Sequence, residues 1–279
     1  LYTPQFEHDS CGIGFVADLK GKPSRDIIED ALVMLRNMEH RGGTGSDELT
    51  GDGAGILIQI PHQFYTDECK KLGFTLPDSG EYGVGMTFFP SNKVLREKCR
   101  KELNKYIRNL GLKLLGYRKV ATINEGVGKT ALSVEPHSEQ FFVEPIEKTT
   151  AEALERRLCV LRKYANRTIH ELYDQTYDNF YIATCSHKTI VYKGQLTTSQ
   201  LQPYFADLED KRVTSALALV HSRFSTNTSP KWKLAQPFRY IAHNGEINTI
   251  QGNVNWMKSK TALLKNSLFT TEELDLLLP

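Results

Sequence analysis

Apolar residues recur at helical spacing in three long stretches of the chain. From Ser24 to about His40, Ile28, Leu32, Leu35 and Met38 fall three or four positions apart, Ser24 is a plausible N-cap, and Gly42-Gly43 ends the pattern. Ser91–Leu110 predicts a second helix with Val94, Leu95, Leu103, Tyr106, Ile107 and Leu110 turned inward, closed by Gly111. Ala151–Leu172 is the longest, and shorter helices are expected over Thr198–Leu208 and Asn248–Leu264. Strands are read at Cys11–Asp18, Gly55–Ile60, Tyr82–Phe89, Leu112–Val120, Gln140–Val143, Val213–Val220 and Phe238–Ala242. Phe180–Tyr192 reads as a hairpin turning at Ser186–Lys188. Helices and strands do not alternate regularly, which favours an α+β class with antiparallel sheets covered by helices.

Composition narrows the function classes. The chain has 279 residues, 40% of them hydrophobic and 24% charged, with a net charge of +2. That length can bury a sizeable core. No polyanion-binding footprint accompanies so small a charge, so nucleic acid is not an expected partner. No apolar run approaches the ~18–20 residues of a membrane helix, and no secretory signal opens the chain. The five cysteines, Cys11, Cys69, Cys99, Cys159 and Cys185, are scattered without a CxxC pair. Their spacing argues against zinc or a disulfide framework and fits a reducing cytoplasm. The chain opens on Leu1 rather than Met, so sequence upstream is expected, and nothing marks Pro279 as a terminus.

Several short motifs could carry chemistry, each with a plainer reading. Gly126–Thr130, GVGKT, resembles the tail of a phosphate-binding loop, but Ile123 stands where the pattern requires glycine, so a surface turn is expected. Gly51–Gly55, GDGAG, could cradle an anion or serve a tight turn before a strand. His221 and His243 each close an apolar run, and nothing nearby completes a metal set. Arg223 leaves the end of the run ALALVHS, and its planar fork suits either a carboxylate or a surface ion pair. Asn244-Gly245 offers an amide NH2 beside a glycine N–H, the parts of an oxyanion hole, or else a type I′ turn. Cys11 reads as a buried thiol unless the polar segment LYTPQFEHDS before it is cleaved after Ser10, which would give Cys11 a free α-amine.

Taken together, CGIGFVADLKGKPS, MEHRGG, TGDGAGILIQIP and HSRFSTNTSPKWKLAQPFRYIAHNGEINTIQGNVNWM closely resemble the N-terminal class II glutamine amidotransferase domain of glutamate synthase. The resemblance runs from about Phe6 to Trp256. It implies a four-layer αββα sandwich of two antiparallel sheets, of the type whose nucleophile is the chain's own N-terminal residue. Residues 1–10 would be a leader, and 11–279 the amidotransferase domain. The resemblance assigns Cys11 as nucleophile once exposed. It assigns Arg223 and Thr226 to the α-carboxylate of L-glutamine, and Asn244 and Gly245 to the oxyanion. Ammonia released by the reaction would pass to a synthase domain of the same parent chain and on to 2-oxoglutarate. FMN and an iron–sulfur cluster would belong to that synthase portion, and these residues would hold no cofactor and no metal. Two departures are visible. The leader is present, and the Ser-Asp-Ser segment that carries the family's ligand for the glutamine α-amine is not found; Asp275 is no match for it. The domain is therefore expected to be truncated at its C-terminal end. The alternatives are a class II amidotransferase feeding another acceptor, or an unprocessed and inert interaction module.

Overall fold

The computed structural model of the chain describes residues 12–173, 180–225, 228–244, 250–261, 263–264 and 266–277. Among the described residues, eight strands form two four-stranded antiparallel sheets. The first has the order β1-β8-β2-β7, from β1 (Ile13–Ala17), β8 (Leu217–Ser222), β2 (Ala54–Gln59) and β7 (Thr189–Gly194). The second has the order β4-β5-β3-β6, from β4 (Leu112–Lys119), β5 (His137–Pro145), β3 (Gly83–Phe89) and β6 (Tyr181–Ser186). The architecture is mixed α+β and consistent with the expected sandwich.

Helix positions follow from capping and from one apolar face each. Helix α1 (Arg25–Asn37) starts where the Ser24 hydroxyl accepts the Ile27 N–H, and it lies against β1 and β8. Helix α3 (Lys93–Asn109) is capped by Asn92 and α5 (Ala151–Leu172) by Thr150, each accepting a backbone N–H of the first turn. Leu103 and Ile107 of α3, and Leu158, Leu161 and Ala165 of α5, pack with Phe141, Val143 and Ile182 of the second sheet. A second cluster joins the sheets, with Ile56, Ile58 and Val220 from the first and Val84, Met86 and Phe142 from the second. The short helices α2 (His62–Lys71), α4 (Lys129–Ser133) and α6 (Leu201–Tyr204) occupy connections, and α7 (Ile250–Thr261) and α8 (Thr271–Leu277) follow the last strand.

Four sequence expectations are corrected here. The expected hairpin over Phe180–Tyr192 is not one. Strand β6 pairs with β3 and β7 pairs with β2, so the turn at Ser186–Lys188 passes the chain from one sheet to the other. Local turn chemistry looks the same in both cases; the partner strands decide. Phe238–Ala242 is not a strand but a turn, with the Phe238 N–H donating to the Ile241 carbonyl at 2.8 Å. Arg239 and Tyr240 there bond the Glu155 carboxylate of α5 instead of a sheet edge. Val94 is 69% exposed, because the buried face of α3 runs through Cys99, Leu103, Tyr106 and Ile107, a register that Val94 misses. Thr198–Leu208 resolves into α6 and a 3-10 turn at Ala206–Glu209 rather than one helix. GVGKT is a packed turn: Gly126 has φ +81°, and the Gly128 N–H donates to the Leu49 carbonyl at 2.9 Å.

Candidate active site

The ends of β1 and β8 come together beside the start of β2. Ile13 pairs with His221, and one residue further the Ser222 N–H donates to the Gly12 carbonyl at 2.7 Å. Arg223 therefore leaves β8 beside the residue that follows Cys11. Its own N–H donates to the Gly53 carbonyl at 2.8 Å, which ties it to the GDGAG segment. Gly53 has φ +145°, and a Cβ there would lie 3.0 Å from the Ala235 Cβ and 3.5 Å from the Arg223 Cβ. The glycine is thus required both by backbone conformation and by close approach. In GDGAG the structure shows a close backbone approach at Gly53.

Asn244 is placed by the same glycine end of β1. A Cβ built on Gly12 would lie 3.1 Å from Asn244 Oδ1 and 3.5 Å from Nδ2, and 2.4 Å from the Ser222 carbonyl oxygen. Any side chain at residue 12 would push the carboxamide away. The sequence Cys11-Gly12 thus brings the asparagine to the start of β1 by leaving space for it. Cys11, Thr226 and Gly245 lie outside the described residues. Of the predicted site residues, Asn244 lies against Gly12, and Arg223 follows Ser222, whose N–H donates to the Gly12 carbonyl.

The half-buried Arg223 guanidinium donates from Nη1 to the Asp52 carbonyl at 3.1 Å and from Nη2 to Thr228 Oγ1 at 2.8 Å. Burial pushes its pKa down, and the Asp52 charge opposes the shift. Among the described residues neither of its hydrogen-bond acceptors is a carboxylate, and a guanidinium fork of this kind suits an anionic ligand. Buried Asp52 instead accepts the Ser225 N–H at 2.6 Å, fixing the turn beyond Arg223. Arg223 and Ser222 line a narrow cleft of about 30 Å³ with Gly42, Gly43, Gly53 and Thr198. Larger hollows lie elsewhere, about 300 Å³ beside Phe88, Tyr181 and Trp232 and about 510 Å³ beside Glu81 and Thr150. Neither holds a predicted site residue, so volume alone does not find the chemistry.

His221 is structural, as its strand-end position suggested. It is buried, and its Nε2–H donates to the His243 carbonyl at 2.9 Å. Burial pushes its pKa down to about 4, so the ring is neutral near pH 7 with Nδ1 unprotonated. His243 follows the turn at Phe238, not a strand. Among the described residues no group of three or more His, Cys, Asp or Glu is gathered to hold a metal ion. Cys69, Cys99 and Cys185 are buried in the cores. Sequence reasoning missed Asp52 and Gln236. The first carried a faint signal, an acid flanked by glycines; the second lay inside the stretch that carries the family resemblance, but its partners are set only by the fold.

Comparison with known proteins identifies the family of the chain. The family model for class-II glutamine amidotransferases matches residues 11–279. The chain is 46% identical over 281 residues to the large chain of an NADPH glutamate synthase from Bacillus subtilis, covering 100% of this chain and 18% of that protein. It is 45% identical over 284 residues to an NADH glutamate synthase from Schizosaccharomyces pombe, covering 99% of this chain and 13% of that protein. It is 40% identical over 270 residues to a chloroplastic ferredoxin-dependent glutamate synthase from Arabidopsis thaliana, covering 97% of this chain and 16% of that protein. The chain thus spans less than a fifth of the length of these relatives. It belongs to the class II glutamine amidotransferases, as a domain that matches those of glutamate synthases.

Proposed function

We propose that this domain hydrolyses L-glutamine to glutamate and ammonia through a thioester on Cys11. The observation that carries the reading is the Asn244 carboxamide against Gly12, the residue after Cys11, with Arg223 on the neighbouring strand end. Cleavage after Ser10 gives Cys11 a free α-amine, whose ordinary pKa of ~7.7–8.0 leaves a useful neutral fraction at pH 7. The amine takes the thiol proton, and the thiolate attacks the γ-amide carbon. Charge develops on the carbonyl oxygen, where the Asn244 amide and the Gly245 N–H are suited to receive it. The C–N bond breaks, the proton passes to the leaving nitrogen, and ammonia departs. Water then adds to the γ-glutamyl thioester and returns the thiol. Arg223 binds the substrate α-carboxylate through its guanidinium fork, with Thr226 adding a hydrogen bond.

In this reading ammonia is delivered to 2-oxoglutarate by a synthase domain of the same parent chain. FMN and an iron–sulfur cluster are assigned to that domain and not to these residues. No helix among the described residues is long and apolar enough to cross a membrane; unpaired, scattered cysteines favour the cytoplasm. The test is an assay for ammonia and glutamate in protein whose N-terminal sequence reads Cys-Gly-Ile. Equal release of both is expected. Release of neither, from protein with a proven free Cys11 amine, overturns the reading.

A further inference from the structure

The proposed oxyanion donor stands on a segment with no strand to hold it. Residues 241–244 belong to no sheet, and Tyr240 and Ile241 are exposed. Yet His243, the residue before Asn244, is gripped at both backbone polar atoms by one side chain. Gln236 Oε1 accepts the His243 N–H at 2.8 Å, and Gln236 Nε2 donates to the His243 carbonyl at 3.1 Å. An adjacent strand offers the same exchange, one acceptor and one donor to one residue. Here a carboxamide supplies it. His221 Nε2–H adds a second donor to that carbonyl.

Gln236 is itself held from behind. It is buried, and its backbone oxygen occupies space that only a glycine at position 55 leaves open, since a Cβ there would lie 2.4 Å away. The preceding carbonyl, of Ala235, accepts from Lys193 Nζ at 2.7 Å, and the Lys233 carbonyl accepts from the same nitrogen at 2.9 Å. Lys193 is 1% exposed on β7, opposite Gly55 of β2. The first sheet thus fastens residues 233–236, and Gln236 with His221 fastens His243.

We propose that Gln236, backed by His221, is the positioning residue that aims the Asn244 carboxamide at the developing oxyanion. The clamp fixes the peptide groups on both sides of the His243 Cα, so it sets where the Asn244 Cα–Cβ bond points. Among the described residues the Gln236 carboxamide bonds backbone atoms of His243. Its loss therefore acts on the transition state and leaves ground-state binding through Arg223 intact.

The proposal rests on the glutaminase reading and fails separately from it. The experiment uses the full-length protein with Cys11 at its N-terminus. Three quantities are read: kcat and KM for glutamine, affinity for the γ-aldehyde analogue of glutamine, and the rate of Cys11 alkylation by iodoacetamide. Addition of the thiol to the aldehyde forms a tetrahedral hemithioacetal whose oxygen sits where the oxyanion would. Q236L is expected to lower kcat and aldehyde affinity together, by about 100-fold, the scale for an ångström of misplacement. KM and the alkylation rate are expected to stay within about 3-fold, because uniform binding is untouched. H221L is expected to lose about tenfold in kcat, one to two orders less than loss of an oxyanion donor, and H221Q to recover most of that by restoring an N–H donor. A Q236L kcat within about 3-fold of the parent overturns the proposal, as does a lowered kcat with unchanged aldehyde affinity. If Q236L does not fold, equal kcat in H221L and H221Q overturns it. A parent protein that neither releases ammonia nor binds the aldehyde overturns the glutaminase reading instead.

Discussion

Cys11→Ala is expected to abolish ammonia release from glutamine, with kcat falling on the order of 10⁶-fold, as loss of a covalent nucleophile does. Alanine removes the sulfur and keeps the α-amine, so the substrate still meets Arg223 and Asn244 but nothing forms the thioester. A second variant separates nucleophile from base. Protein that retains residues 1–10 keeps the thiol but has an amide nitrogen at Cys11, which cannot accept a proton. Its activity is expected to fall by about 10²–10⁴, the range for loss of general base catalysis. Both are read by ammonia release, with alkylation of Cys11 reporting whether the thiol is reachable. Ammonia release by Cys11→Ala at more than about a hundredth of the parent rate would place the nucleophile elsewhere, since removal of a true one costs far more.

Periodic elements were readable wherever one face packs on a sheet. Ala151–Leu172 matches α5 residue for residue, because a cap, a long apolar stripe and a polar face agree. The strand that leads to Arg223 was legible in place but not in bounds: the expected span is Val213–Val220, and β8 runs over Leu217–Ser222. What resisted reading depended on partners far away in sequence. Ser186–Lys188 looks like a hairpin turn until β3 and β2 claim its two strands for different sheets. Phe238–Ala242 has strand composition, but Glu155, more than eighty residues earlier, draws Arg239 and Tyr240 away. The site divides in the same manner. Arg223 and Asn244 were marked by residue type and by resemblance to a known family. The groups that hold them, Asp52 and Gln236, act through backbone atoms that no side-chain pattern records. Among the described residues the acceptors found for Arg223 are the Asp52 backbone carbonyl and Thr228.

Asp207→Ala is expected to destabilise the fold by about 3–5 kcal/mol, the scale for stranding one member of a buried ion pair. Arg118 of β4 and Asp207 of the 3-10 turn are 7% and 2% exposed, and they meet as a double fork at 2.7 and 2.6 Å. Burial opposes the charge on Arg118, but hydrogen bonding to Asp207 outweighs it and raises the pKa. The pair is one node of a network. Tyr192 of β7 donates to Asp207 at 2.9 Å, Gln140 of β5 accepts from Arg118 at 2.9 Å, and the Gln140 amide reaches the Tyr65 and Tyr192 hydroxyls. These contacts tie β4 and β5 of one sheet to β7 of the other. Removing the carboxylate leaves a guanidinium buried without its acid and a tyrosine hydroxyl without its acceptor. The loss is about a fifth or more of the ~5–15 kcal/mol that holds a typical domain. Urea unfolding reads it as a lower midpoint at unchanged slope. The double variant Arg118→Met, Asp207→Ala is expected to recover part of the loss, because no charge is then left buried. A cost below about 1 kcal/mol for Asp207→Ala alone would mean that water reaches Arg118, since only a solvated pair is worth so little. The next residue along β7 after Tyr192 is Lys193, which fastens residues 233–235 behind the proposed oxyanion segment. Loosening the network should therefore lower glutaminase activity before the fold is lost, and activity measured at rising urea should fall ahead of the unfolding signal in Asp207→Ala but not in the parent.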